Sequence, residues 1–351
     1  MHNIGFGSRS MAPKLGGPAG RQEQAPIMLR CDLIMEQRIS CTSNPDQAMR
    51  QVGITLLRAG YRFVCPTPET QRRVNARPGN EWAGNLVDIF GWSRPFRRDV
   101  LPAPLFEQAM AAGMLVADSG AWRSCFRFST LGHNSFFHSS FPTEAADAVF
   151  FGPDSYRFAA VLTAFLRDVP PTARAVDIGC GTGLGAILIA QHDPTTETVM
   201  VDINEAALRL ARVNAELAGV DGILARQSDL LSDVSGAVDL IVSNPPYLPD
   251  PRRRLYRNGG GRLGEGLSLA IVRTAMERLA PGGTLLLYTG TAIIGGDNPF
   301  LQEVASLLRN ADFVWKAIEL DPDVFGEELE DGPLSVAERI AVICLTVTRR
   351  R

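Results

Sequence analysis

From Ala173 onward the chain alternates short apolar runs with amphipathic stretches. The runs at 174–178, 198–202, 223–227, 238–243, 284–289, 313–319 and 340–347 predict strands. Between them, apolar positions at helical spacing predict helices at about 183–192, 204–218, 266–280 and 297–310. Such alternation predicts an α/β fold, a doubly wound, mostly parallel seven-stranded sheet with helices on both faces. No helical pattern separates the last two runs, so they are expected to pair antiparallel at an edge.

The first part of the chain has a different rhythm. Residues 46–59 predict a helix ending at Gly60, and Tyr61–Cys65 a short strand broken by Pro66 and Pro68. Helices at 81–90 and 103–112 flank an aromatic turn at 91–96. Strands follow at 115–118, 124–129 and 135–139, with Leu131-Gly132-His133-Asn134 as a hairpin turn. Three helices followed by a hairpin form a winged-helix-like order. We therefore expect an α+β accessory domain over 26–144 that recognises substrate or forms a homodimer, after a flexible Gly/Pro/Ala-rich tail at 1–25. Phe141 opens a linker leading into a helix that ends near Leu166, and the α/β domain is expected over 145–351.

Composition narrows the options. The chain has 351 residues, 45% hydrophobic and 21% charged, which is ordinary for a globular protein. Its net charge of −3 offers no basic field for non-specific nucleic-acid binding. Six scattered cysteines form no CxxC pair, and the four histidines show no metal-ligand spacing, so reduced thiols and no metal site are expected. No apolar stretch reaches the ~20 residues of a membrane span, nor does the first stretch carry a signal-peptide core. A cytoplasmic protein is the expectation.

Chemistry concentrates at the predicted strand ends. The run Val238–Ser243 leads into Asn244-Pro245-Pro246-Tyr247, where the double proline forces the chain out of the sheet. Open α/β sheets bind ligands at that edge. The Asn244 oxygen and the Pro245 carbonyl can accept the two hydrogens of a flat –NH2 group, and Tyr247 can lie against its plane. Upstream, Asp177-Ile178-Gly179-Cys180-Gly181-Thr182-Gly183 joins a strand to a helix through glycines that let a ligand approach the backbone. The spacing is not the G-x-G-x-x-G of a dinucleotide site, and Asp177 beside a pyrophosphate would repel it. Asp177 suits a cationic amino-acid moiety instead. Asp202, at the next strand end, can take both hydroxyls of a ribose, and Asp229, after the third strand, can accept from an adenine amino group.

Together these residues resemble the class I S-adenosylmethionine-dependent methyltransferases. Asp177 with Gly179-x-Gly181-x-Gly183 resembles the family's first motif, Asp202 its ribose-binding acid and Asp229 its adenine-binding acid. Asn244-Pro245-Pro246-Tyr247 resembles the N-methylating branch, which includes release-factor glutamine methyltransferases and adenine or cytosine N-methyltransferases. Glu265-Gly266-Leu267 and the run Leu279–Leu287 are also similar to the glutamine-modifying group. The resemblance covers about 145–351. It implies S-adenosyl-L-methionine as cofactor, bound by Asp177, Gly179, Gly181, Gly183, Asp202, Asp229 and Asn244, with Asn244, Pro245 and Tyr247 carrying catalysis. Two segments depart from that group: Tyr288-Thr289-Gly290 stands where an acidic residue is usual, and Gly152–Tyr156 matches only loosely. The methyl acceptor stays open between a protein glutamine or free amino acid, a nucleobase and another small molecule. Tyr156, Arg254 and Phe151 are candidate substrate contacts; a core role for the two aromatics and a solvated loop for Arg254 are the alternatives.

Overall fold

The computed structural model describes residues 44–351. The predicted tail at 1–25 and the first part of the accessory region lie outside the described residues.

The first helix, α1 (Pro45–Arg58), starts where the Asn44 side chain accepts from the Asp46 amide, with Pro45 in the first turn. Met49, Val52, Gly53 and Leu56 form its buried face. Gly53 allows a close approach, since a Cβ there would stand 2.8 Å from Leu217 of a later helix. Of the two prolines read as strand breakers, Pro68 begins a helix. In α2 (Pro68–Asn75), Thr67 caps the Thr70 amide and Pro68 occupies the first turn, where its missing N–H costs nothing. Tyr61–Cys65 forms no regular strand. The helix expected at 81–90 shortens to α3 (Leu86–Phe90), which starts at the Asn85 cap, and α4 (Ala103–Ala111) follows.

Two separate hairpins come next. Ser119 and Gly120 both have positive φ, a two-residue turn joining β1 (Leu115–Asp118) to β2 (Ala121–Ser124). Gly132 turns β3 (Phe126–Leu131) into β4 (Asn134–Ser139). The described N-terminal region therefore holds four α-helices and two hairpins rather than the three helices and one hairpin expected. Cys65, Cys180 and Cys344 are free and buried, while Cys125 is disulfide-bonded, against the expectation of reduced thiols throughout.

The rest of the chain follows the predicted alternation: α5 (Pro153–Asp168), β5 (Arg174–Ile178), α6 (Leu184–His192), β6 (Glu197–Asp202), α7 (Glu205–Leu217), β7 (Leu224–Gln227), β8 (Val238–Ser243), α8 (Gly266–Arg278), β9 (Leu279–Ile293), α9 (Pro299–Leu308), β10 (Phe313–Asp321) and β11 (Arg339–Arg349). Seven strands form one sheet in the order β10-β11-β9-β8-β5-β6-β7. All neighbours are parallel except β11, which runs antiparallel to both β9 and β10, as the lack of an intervening helix predicted. The strand order reverses between β5 and β8, so a ligand crevice is expected at their carboxyl ends.

One hydrophobic cluster joins α1 and the hairpins to α5, α6, α7 and the sheet, while α8 and α9 pack on the sheet in a second cluster. Asn214 on α7 is fully buried and acts as a polar clamp between the two regions. It accepts from the Phe137 amide at 2.8 Å and donates to the Phe137 and Thr182 carbonyls at 3.1 and 3.0 Å. The β3–β4 hairpin is thereby held against the glycine loop. Among the described residues, no helix is long and apolar enough to cross a membrane.

Candidate functional site

A cavity of about 750 Å³ opens at the strand-order reversal, lined by the β5–α6 loop, the ends of β6 and β8, and the N-terminal region. The Ser243 hydroxyl donates to the Ile178 carbonyl at 2.7 Å, which ties the exit of β8 to the exit of β5. Asn244 and the glycine loop are therefore neighbours on one wall.

Gly179 and Gly181 both lie at positive φ, +66° and +53°, and a Cβ on either would project into space empty to 4 Å. Bare backbone of this kind leaves room for a ligand to approach and is not explained by packing. Gly183 differs: it does not line the cavity, and a Cβ there would stand 3.0 Å from Ala211, so it lets the loop pack on α7. A fourth glycine, Gly185, sits 2.7 Å (from a would-be Cβ) from Asp177 Oδ2.

Asp177 is only 2% exposed, and its Oδ2 accepts from the Ala186 amide at 3.0 Å. Its carboxyl holds the first turn of α6 in place, and burial pushes its pKa up to about 7. Asp202 is held from both sides: Oδ2 accepts from Gly181 N at 3.0 Å and Oδ1 from Asn204 N at 2.9 Å. Each oxygen keeps one lone-pair direction for another donor, the requirement for gripping a vicinal diol. Burial also raises the Asp202 pKa. Asp229 is exposed on the cavity rim. Open glycines, a fixed acceptor carboxylate and a rim acid in this order fit an adenosyl ligand with a cationic tail.

Asn244 lines the cavity, half-buried, and its side-chain amide makes no hydrogen bond to the described residues. Pro245 is buried beside it. Tyr247 is 7% exposed, and its hydroxyl donates to Asp154 Oδ2 at 2.5 Å. Tyr288 donates to the other oxygen, Oδ1, at 2.9 Å. Asp154, in the first turn of α5, thus orients two tyrosines that lie 93 and 134 residues away. Burial and the adjacent Asp154 push both phenols up. The Tyr247 ring rests on Gly290, where a Cβ would stand 2.3 Å from its Cδ2 and Cε2. Phe325 meets its edge at 66°.

The other predicted substrate contacts are placed differently. Phe151 is fully buried and stacks on Phe136, so it is core; Phe150 lines the cavity in its place and stacks on Tyr256. Tyr156 is off the cavity wall and its hydroxyl accepts from the Cys65 amide at 2.9 Å, tying α5 to the N-terminal region. Arg254 does line the cavity, but its guanidinium is bound to Asp250 at 2.7 and 3.0 Å. Asp154, Tyr288 and Arg127 were not singled out by sequence reasoning. For the first two the signal was present, since Gly152–Tyr156 and Tyr288-Thr289-Gly290 are the segments that depart from the family pattern. Arg127 carried only the signal of a charge inside a predicted strand.

Residues 157–293 match the methyltransferase small domain family. The 4-amino-L-phenylalanine/4-methylamino-L-phenylalanine methyltransferase of Streptomyces pristinaespiralis is 35% identical over 145 residues, 38% of this chain and 49% of that protein. The release factor glutamine methyltransferase of Deinococcus radiodurans is 36% identical over 168 residues, 44% of this chain and 55% of that protein. Its counterpart in Cereibacter sphaeroides is 38% identical over 137 residues, covering 35% and 48%. The chain spans about half the length of these relatives. The region that carries the glycine loop, Asp202 and Asn244 matches the methyltransferase small domain family and is similar to the release factor glutamine methyltransferases.

Proposed function

We propose that this protein transfers a methyl group to a planar –NH2 nitrogen of an amino-acid-like acceptor. The observation that carries this reading is Asn244: its amide is unpaired among the described residues and opens on the same cavity as the glycine loop and Asp202. Names of relatives support the acceptor type. One acts on 4-amino-L-phenylalanine and others on glutamine in release factors, and both acceptors present a flat nitrogen whose lone pair is delocalised.

S-adenosylmethionine supplies an electrophilic methyl group when bound. The glycine loop would lie along it, Asp202 would accept from the ribose hydroxyls and Asp229 would meet the adenine edge. The chain's remaining task is to align and activate a poor nucleophile. The Asn244 side-chain oxygen and the Pro245 carbonyl would accept its two hydrogens. Both contacts strengthen as that nitrogen gains positive charge, so they favour the transition state over the ground state. Tyr247, held by Asp154 and seated on Gly290, would limit the tilt of the acceptor plane. No general base is needed before the methyl group moves, because the nitrogen becomes acidic only as it is alkylated.

The test is methyl transfer from labelled S-adenosylmethionine to glutamine, asparagine, arginine and 4-amino-L-phenylalanine, with Asn244→Ala as the control. We expect the variant to lose about 10²–10³-fold in kcat while calorimetric affinity for the cofactor stays within about threefold. Equal turnover by the variant would sink the reading.

A further inference from the structure

Arg127 lies on β3 and is 3% exposed. Its Nε donates to the Ser139 carbonyl at 3.0 Å, and Nη1 to Gln71 Oε1 at 2.7 Å and the Cys65 sulfur at 3.2 Å. All three partners are neutral. Among the described residues no carboxylate pairs with this guanidinium, although a buried, unpaired charge costs several kcal/mol. The other arginines of the cavity contrast with it. Arg157 is paired with Asp154 and Asp321, Arg254 with Asp250 and Arg257 with Glu328, while Arg252 is exposed and solvated. Nη2 of Arg127 has no acceptor among the described residues, and Arg127 lines the cavity. Burial lowers its pKa, the direction expected for a cation lacking a counter-ion.

We propose that Arg127 is the anchor for a carboxylate of the methyl acceptor, which is therefore a free amino acid or similar small acid and not a glutamine within a protein chain. The inference rests on the methyl-transfer reading above. A single buried positive charge matches a monoanion. Glu144, Asp323 and Glu327 also line the cavity, and a dianion such as a phosphate monoester would meet them. A glutamine inside a polypeptide has no carboxylate of its own to offer the guanidinium, since its α-carboxyl is part of a peptide bond. A cavity of about 750 Å³ is of the size that small ligands occupy. Gln71, on α2, and Cys65, just ahead of it, hold the guanidinium, so the N-terminal region selects the acceptor while the sheet region binds the cofactor.

The experiment uses the full chain saturated with S-adenosylhomocysteine. Calorimetry compares each of the four acids named above with its decarboxylated amine. At least one acid is expected to bind about 10–100-fold more tightly than its amine, the range for a hydrogen bond to a charged group. Arg127→Met abolishes the difference, and Arg127→Lys, which keeps the charge, retains part of it. If no acid outbinds its amine, the anchor is overturned, whether or not methyl transfer is seen. If the acid preference appears without transfer to any acceptor, the anchor stands and the methyl-transfer reading falls. The comparison of acid and amine in the unaltered protein decides the matter even where Arg127→Met does not fold.

Discussion

The two halves of the cavity are built by different means. The glycine-loop half is made of backbone: Gly179, Gly181 and the ends of β5 and β6, with Asp202 held by amides two and 21 residues away. The acceptor half is made of side chains that meet across the fold. Asp154 holds Tyr247 and Tyr288, Gly290 seats a ring, and Gln71 holds Arg127 from 56 residues away. Local backbone geometry specifies a ligand common to many enzymes. Long-range side-chain contacts can be exchanged one at a time, and in the proposed reaction they would set what the second ligand is.

If the halves are independent, substitutions in one leave the ligand of the other unaffected. The largest expected effect is at Gly290. Gly290→Ala drives a methyl group into the Tyr247 ring, and such overpacking costs about 1–3 kcal/mol. Displacing an acceptor by about 1 Å costs about 100-fold in kcat/KM, so we expect a loss of that order with cofactor affinity unchanged. A parallel loss of cofactor binding in calorimetry would merge the two halves into one. Next, Asp202→Ala removes a charged acceptor worth about 1.5–3 kcal/mol, which weakens cofactor binding by about 10–100-fold. The acceptor KM at saturating cofactor should hold steady; a rise in it would break the comparison from the other side.

The smallest effect concerns stability. Asp177 is buried, and its folded pKa of about 7 lies above its ordinary value of 3.8. Below pH 3.8 both folded and unfolded chains carry the proton and it costs nothing. As pH rises from 3.8 towards 7, the unfolded chain gives up the proton while the folded chain keeps it, so stability falls, then levels off above 7. Asp177→Asn keeps an acceptor for the Ala186 amide and removes the titration. The melting temperature of the cofactor-free variant should therefore change less between pH 4 and 7 than that of the unaltered protein, by about 5 °C. Identical pH profiles would show that Asp177 is ionised at the root of α6.

Legibility in the sequence follows the same division. All seven strands of the large sheet are readable from runs that contain apolar residues, although β9 extends to Leu279–Ile293, beyond the expected 284–289, and β7 is half polar; the antiparallel β11 is readable from a missing helix. The N-terminal region was read less well. Pro68 reads as a breaker in sequence but starts a helix, since a proline in the first turn and a proline ending a strand look alike without the cap geometry. The β1–β2 hairpin is not apparent in the sequence because Ser119-Gly120 turns in only two residues and β2 is a short, half-polar run. At the site, Phe150 and Phe151 are indistinguishable by type, and only packing shows that one lines the cavity while the other stacks on Phe136.

The sequence by itself determined the sheet, the positions of Gly179, Gly181, Asp202, Asp229 and Asn244 at its edge, and the family they resemble. These depend on periodicity and on φ preferences, which act over a few residues. Tertiary structure alone decided that Asp154 serves two tyrosines, that Gly183 packs on α7, that Tyr156 bridges regions, and that Arg127 is buried beside the cavity without a counter-ion among the described residues. Each of those depends on contacts between segments far apart in the chain, whose energies no local pattern encodes.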